Sequence, residues 1–251
     1  MVWWALLALL PAATARSILS LRGGSLTRED VIDKLNKVPT FAIVDENDHV
    51  VPIRTETGAD ICWFTDAAEV QKLLELTRAA SPDRTFHIAV TPLGAAFAQC
   101  QGFASIGDDG DSEAPHDGYL KGTLKLRGPR AVVDAAQEEL RAQQAAQGVE
   151  PGDWVLPVYC HDDFQTPQMM PMFFSAEDFS AGWTRSGRSA DNMPGQLAMM
   201  DLRVLVKQMS ETDAFDWSIF AFVSSEAAYT LAQEVMAQGT SGEGDHREEE
   251  A

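Results

Sequence analysis

Val38-Pro39-Thr40-Phe41, followed by Cys62-Trp63-Phe64-Thr65-Asp66, is echoed by Leu156-Pro157-Val158-Tyr159, followed by Met172-Phe173-Phe174-Ser175-Ala176-Glu177-Asp178. In each copy a proline leads an apolar strand, an aromatic strand follows, and a hydroxyl or carboxylate side chain opens a helix. Proline fixes its own φ and drives the preceding residue into extended geometry, so each pair ends what comes before and starts a strand. Thr65 or Asp66 in one copy, and Ser175 in the other, can accept hydrogen bonds from the first free amides of a helix. The offset, about 110 to 118 residues, is too long for a solenoid repeat and predicts two copies of one unit. The expected fold is α/β, with two related halves in a pseudo-two-fold arrangement, each with proline-led strands and a capped amphipathic helix.

Outward from these anchors, residues 27–103 read as the first half. Thr27 and Asp30 form a capping-box-like start, and Val31, Ile32 and Leu35 give the helix 28–36 one apolar stripe. Strands are predicted at 40–44, 49–53 (a hairpin return after a turn at 45–48), 60–64 and 86–90, with helices from 67 to the Ser81-Pro82 stop and at 92–99. Residues 104–118 are an acidic, glycine-rich insertion. Residues 119–237 read as the second half. Its predicted strands are 119–126, 155–159, 168–174, 201–206 (the counterpart of 86–90) and 216–223. Its helices run from Gly128-Pro129 to near Gly148, from Ser175 with Ala176, Phe179 and Trp183 on the apolar face, and over 225–237. Residues 238–251 are expected to be a disordered acidic tail.

The chain has 251 residues, 45% of them hydrophobic, enough for a substantial core. Nineteen Lys and Arg against 38 Asp and Glu give a formal charge of -19, which argues against nucleic-acid binding and against more than peripheral contact with anionic membranes. Residues 1–15 are apolar, shorter than the roughly 20 needed to span a bilayer, and end in Ala13-Thr14-Ala15; they read as a secretory signal peptide, although without a positive charge at its start. Residues 16–26 then form a basic, serine-bearing segment without acids, of the kind found in transit peptides.

Little catalytic chemistry is written in the chain. Cys62, Cys100 and Cys160 form no CxxC pair. The only adjacent nucleophile and base are Cys160 and His161, and neighbours on a strand point to opposite faces. The histidines lack metal-ligand spacing and the glycines form no phosphate cradle. No catalytic residue, no metal and no cofactor is expected. A methionine and phenylalanine cluster stands out instead, Met169, Met170, Met172, Phe173 and Phe174. Plain core packing is the preferred reading of this cluster; the alternative is a binding surface, since methionine suits surfaces that accept varied apolar sequences and strand alternation allows Met170 or Met172 to face an open groove.

The stretches 31–44, 62–70 and 170–178 resemble the Tic22 family of plastid protein-import components, and the likeness extends over most of 27–225. The resemblance implies a soluble α/β molecule of two halves with hydrophobic grooves. It further implies a plastid intermembrane-space protein, non-enzymatic and chaperone-like, that escorts unfolded preproteins and their transit peptides between outer and inner envelope translocons and contacts translocon subunits. Phe41, Phe64, Phe173 and Phe174 match the family's apolar strand positions; with Met170 and Met172 they are the candidate client-binding residues. The insertion 104–118 and the acidic tail depart from the family pattern. So does the leading address, where a secretory signal before a basic segment suits a plastid reached through the endoplasmic reticulum. A cysteine-dependent enzyme using Cys160 and His161, or a structural scaffold, are the alternatives.

Overall fold

A computed structural model describes residues 24–55, 58–104, 123–150 and 152–242. The signal peptide at 1–15, most of the basic segment 16–26, nearly all of the insertion 104–118 and residues 243–251 of the expected tail lie outside the described residues; the expected disordered tail 238–251 begins instead as helix, which continues to Gly242. The first sheet contains β1 (Pro39–Asp45), β2 (Ile53–Thr55), β3 (Gly58–Phe64), β4 (Phe86–Pro92) and β5 (Thr123–Arg127). The second contains β6 (Pro157–Cys160), β7 (Met170–Phe173), β8 (Ala198–Asp201) and β9 (Phe220–Val223). Seven α-helices accompany them among the described residues: α1 (Arg28–Leu35), α2 (Ala67–Ala80), α3 (Leu93–Gln99), α4 (Arg130–Ala146), α5 (Ala176–Arg185), α6 (Leu202–Glu211) and α7 (Glu226–Gly242).

Apart from β2, which pairs with β3 and has no counterpart strand in the second sheet, the two sheets repeat one strand order. In the first, β1 lies between β4 and β3, and β5 joins the far side of β3; in the second, β6 lies between β8 and β7, and β9 joins β7. Directions agree as well, since β1–β4 and β6–β8 are antiparallel while β3–β5 and β7–β9 are parallel. Phe41 faces Phe64 where Tyr159 faces Phe173. Even a single hydrogen bond recurs: the Leu93 amide donates to the Val38 carbonyl at 2.8 Å, and the Leu202 amide to the Leu156 carbonyl at 2.8 Å. The anchors that opened the sequence therefore sit at equivalent places in two copies of one strand order.

Strand alternation divides the apolar residues between a shared centre and two outer layers. Ala42, Ile61, Trp63 and Leu126 of the first sheet meet Val158, Cys160, Met170 and Met172 of the second in one central core, closed by α1, α3 and α6. Outside the first sheet, Phe41, Ile43, Cys62 and Phe64 are covered by α2 and α7. Outside the second, Phe173 packs with Phe164, Phe179 and Trp183 under α5, and Val155 and Met199 lie under α4.

The covering helices are exchanged. Helix α4 follows β5 of the first sheet but packs on β6 and β8 of the second; α7 follows β9 of the second sheet but packs on β1 and β4 of the first. Between the halves, Arg203 clasps the connecting segment. Its guanidinium donates to the Trp154 carbonyl at 2.9 Å and the Glu150 carbonyl at 3.2 Å, while Asp201 accepts from the Leu156 amide at 3.1 Å. Trp154 Nε1 reaches the other way, donating to the Cys100 carbonyl at 3.0 Å.

Four sequence expectations change. Residues 49–52 form no strand beyond an isolated Val44–Val50 bridge, because Asp45 accepts from the Asn47 and His49 amides and prolongs the turn. The strand expected at 201–206 is the end of β8 followed by helix α6, since Asp201 caps that helix through the Arg203 amide at 3.0 Å. Residues 217–219 are a short 3-10 turn before β9, opened by Asp216 accepting from the Ser218 amide. Strand β5, read as part of the second half, pairs along β3 in the first sheet, where buried Asp60 binds Lys125 at 3.0 Å and Arg127 at 3.1 Å.

Candidate functional site, an acidic cleft between the halves

Four helices start around one cleft of about 630 Å³, and they are the two equivalent pairs, α2 with α5 and α4 with α7. Each start is fixed by its own local chemistry. Asp66 caps α2 by accepting from the Glu69 amide at 2.7 Å. Ser175 caps α5 by accepting from the Asp178 amide at 3.0 Å, and its hydroxyl donates back to Asp178 Oδ2 at 2.7 Å. Ser225 accepts from the Ala228 amide at 3.1 Å at the head of α7. Pro129 precedes α4, where its missing N–H costs nothing.

Around these starts the lining combines apolar and anionic side chains. Val38, Val132, Tyr159, Phe174 and Met199 supply apolar surface, while Asp66, Glu139, Glu177 and Asp178 supply four carboxylates. No lysine or arginine is among the lining residues. Burial raises the Asp178 carboxyl above the usual carboxylate range; the Ser175 hydroxyl and the charge of Arg185 oppose this, and the charges of Glu177 and Asp66 add to it. Burial and the charge of Glu139 likewise raise the Tyr159 phenol. Like charges gathered beside apolar surface make a site that favours a cationic, partly apolar ligand.

The six candidate residues from sequence are all buried, and they are distributed among three layers. Phe41 and Phe64 lie under α2 and α7. Phe173 stacks on Phe164 with centroids 5.7 Å apart, under α5. Met170 and Met172 are in the central core, Met172 fully enclosed. Phe174, in the same core, is the one of the six that also borders the cleft. Sequence reasoning singled out neither Tyr159 and Glu139 nor the meeting of the helix starts. The available signal was that three helix caps, Asp66, Ser175 and Ser225, follow directly from strands of the two repeats.

Cys160 and His161 are not arranged for nucleophilic chemistry. Burial pushes the Cys160 thiol up to about 12, and the charge of Asp162 adds to this. His161 turns away to accept from the Asp163 amide through Nδ1 at 3.1 Å. Burial also pushes the Cys62 thiol up to about 11 and raises that of Cys100. Among the described residues no group of three metal-ligating side chains converges, and no helix is long and apolar enough to cross a membrane.

These features define a two-sheet α/β protein with a duplicated strand order and an acidic cleft where its halves meet. Two solved structures with this fold are Tic22 proteins. One, from Anabaena and described as a protein-transport protein, superposes with a TM-score of 0.52 at 13% identity, covering 83% of this chain and 97% of its own. The other, Tic22 from Plasmodium falciparum, gives 0.54 at 14% identity, covering 83% and 98%. The chain thus has a Tic22-like fold. No protein-family model and no curated protein matches the sequence.

Proposed function

We propose that this protein is a non-enzymatic escort for preproteins in transit to a plastid, acting in the intermembrane space between outer and inner envelope translocons. The observation that carries the reading is the cleft, lined by four carboxylates together with apolar side chains, in a chain of net charge -19. Transit segments are basic, rich in hydroxyl residues and amphipathic. They match such a site in charge and in their need to shelter apolar side chains. Long-range attraction by an acidic surface speeds encounter and leaves release easy, which suits transient handling rather than storage. The Tic22-like fold and the protein-transport role of the Anabaena protein support the same reading.

The test is fluorescence anisotropy with a labelled basic, serine-rich transit peptide. Affinity should fall at least about tenfold between low and high salt as screening shortens the reach of the carboxylates. Asp66→Asn with Asp178→Asn should weaken binding at low salt and flatten the salt dependence. Binding that ignores both salt and these substitutions would overturn the electrostatic reading.

A further inference from the structure

The duplicated strand order gives residues of one half counterparts in the other. Arg127 pairs with Phe64 on β3 where Val223 pairs with Phe173 on β7, and α4 and α7 each begin three residues later, at Arg130 and Glu226. Val132, Ala135, Ala136 and Glu139 of α4 are therefore the counterparts of Ala228, Leu231, Ala232 and Val235 of α7. In α7 these four residues pack on the first sheet. In α4 all four border the cleft, because the helix is turned and meets the second sheet through Val133, Ala136 and Leu140. Ala135 also stands where α7 has Leu231, so the space that leucine fills under α7 stays open under α4. Gln143 fixes the helix in this position, donating to the Met199 carbonyl at 3.1 Å and to Glu139 Oε1 at 3.4 Å.

The strand beneath differs in the same sense. Tyr159 faces Phe173 and Met199 on its two neighbours, as Phe41 faces Phe64 and Val90. Phe41 is fully buried, whereas Tyr159 is half-buried and lines the cleft. Among the described residues its hydroxyl has no hydrogen-bond partner. The charge of Glu139 acts on that phenol, so a carboxylate and an unpartnered hydroxyl share one arm of the cleft. An aromatic face, two oxygen acceptors and the apolar sides of Val132 and Met199 suit one side chain above others. The arginine guanidinium is planar, weakly hydrated, stacks on aromatic rings and presents several donors at once; the lysine ammonium is a compact, strongly hydrated charge.

We propose that this arm of the cleft is an arginine subsite. A client guanidinium lies on the Tyr159 ring and donates to the Glu139 carboxylate and the Tyr159 hydroxyl, while its methylene stem passes Val132 and Met199. This deepens the escort reading and rests on it for the client. Asp66, Glu177 and Asp178 attract either kind of cation; Tyr159 and Glu139 select arginine over lysine.

The experiment measures anisotropy of the full chain with two labelled peptides of equal charge, a basic, serine-rich transit peptide and the same peptide with every arginine replaced by lysine. The wild-type chain should prefer the arginine peptide at least about fivefold. Tyr159→Phe, which places at 159 the residue found at the equivalent position 41, and Glu139→Gln should each cut the preference below about twofold. Asp66→Asn should weaken both peptides and leave the preference intact. Equal affinity of the wild-type chain for the two peptides overturns the subsite and leaves the escort reading standing, as does a preference that survives in both variants. Binding of neither peptide overturns the escort reading and the subsite together.

Discussion

At Gly94 a missing side chain lets two helices touch. A Cβ there would lie 2.5 Å from the Ile32 carbonyl oxygen and 2.6 Å from Asn36 Oδ1. Alanine in a helix gains about 1 kcal/mol over glycine, but overpacking against a backbone oxygen that cannot rotate away costs about 1 to 3 kcal/mol. Gly94→Ala should therefore lower stability, by about 1 kcal/mol in denaturant unfolding, and a gain would show that α1 yields. The thiols give a second prediction. With the Cys160 thiol near 12, only about one in 10⁵ is ionised at neutral pH. Labelling of all three cysteines should therefore track unfolding, and rapid labelling of Cys160 in the folded protein would revive the enzyme alternative. Single residues with one local role were legible in the sequence: Thr27 and Asp30 form the capping box as read, and Ser175 caps its helix. Core packing of Met170, Met172, Phe173 and Phe174 was legible too, but not the layer each enters, because alternation assigns a side chain to a face and cannot say which distant helix covers it.

Among elements, the edge of β8 depends on α4. Gln143→Ala removes two hydrogen bonds to a part-buried strand edge and should cost about 1 to 2 kcal/mol, with faster amide exchange at Asp201 than at Val158 on the neighbouring strand. No change at Asp201 would mean that the edge is held by packing alone. The element most misleading in sequence was 201–206, where Leu202, Val204, Leu205 and Val206 are all buried. The first turn and a half, Leu-Arg-Val-Leu-Val, is buried throughout and in that short window imitates a strand, whereas the polar residues that mark the helical period, Lys207, Gln208, Ser210 and Glu211, lie beyond it. Asp201 as a cap and Leu202, Leu205, Val206 and Met209 at helical spacing were the readable signals. By contrast α5 kept its period, because only Phe179 and Trp183 are buried along it.

Over the whole molecule, the exchange of α4 and α7 makes the halves interdependent. Fragments 24–150 and 152–242 each carry the helix that covers the other's sheet, and the central core draws on both. Each should be largely unfolded alone by circular dichroism and regain native signal on mixing; independent folding of either would contradict the exchange. The duplicated topology was visible in sequence as two proline-led strands, while the exchange was not, since contacts between distant segments leave no local pattern. The cleft adds a pH dependence. The carboxyl of Asp178 is raised in the folded state, so its ionisation is less favourable there than in the unfolded chain. Its contribution to stability therefore grows as pH falls through the folded value toward 3.8 and declines as pH rises through that window. Affinity for a basic peptide should move the opposite way, weakening as the charge is lost, and Asp178→Asn should reduce both slopes. The most direct measurement is site-specific photocrosslinking from Val132, in the cleft lining, and from exposed Met193 as control, during arrested import of a plastid preprotein. An escort should crosslink the arrested preprotein from Val132 and not from Met193. Crosslinks from Val132 to translocon subunits alone, or to nothing, would contradict it.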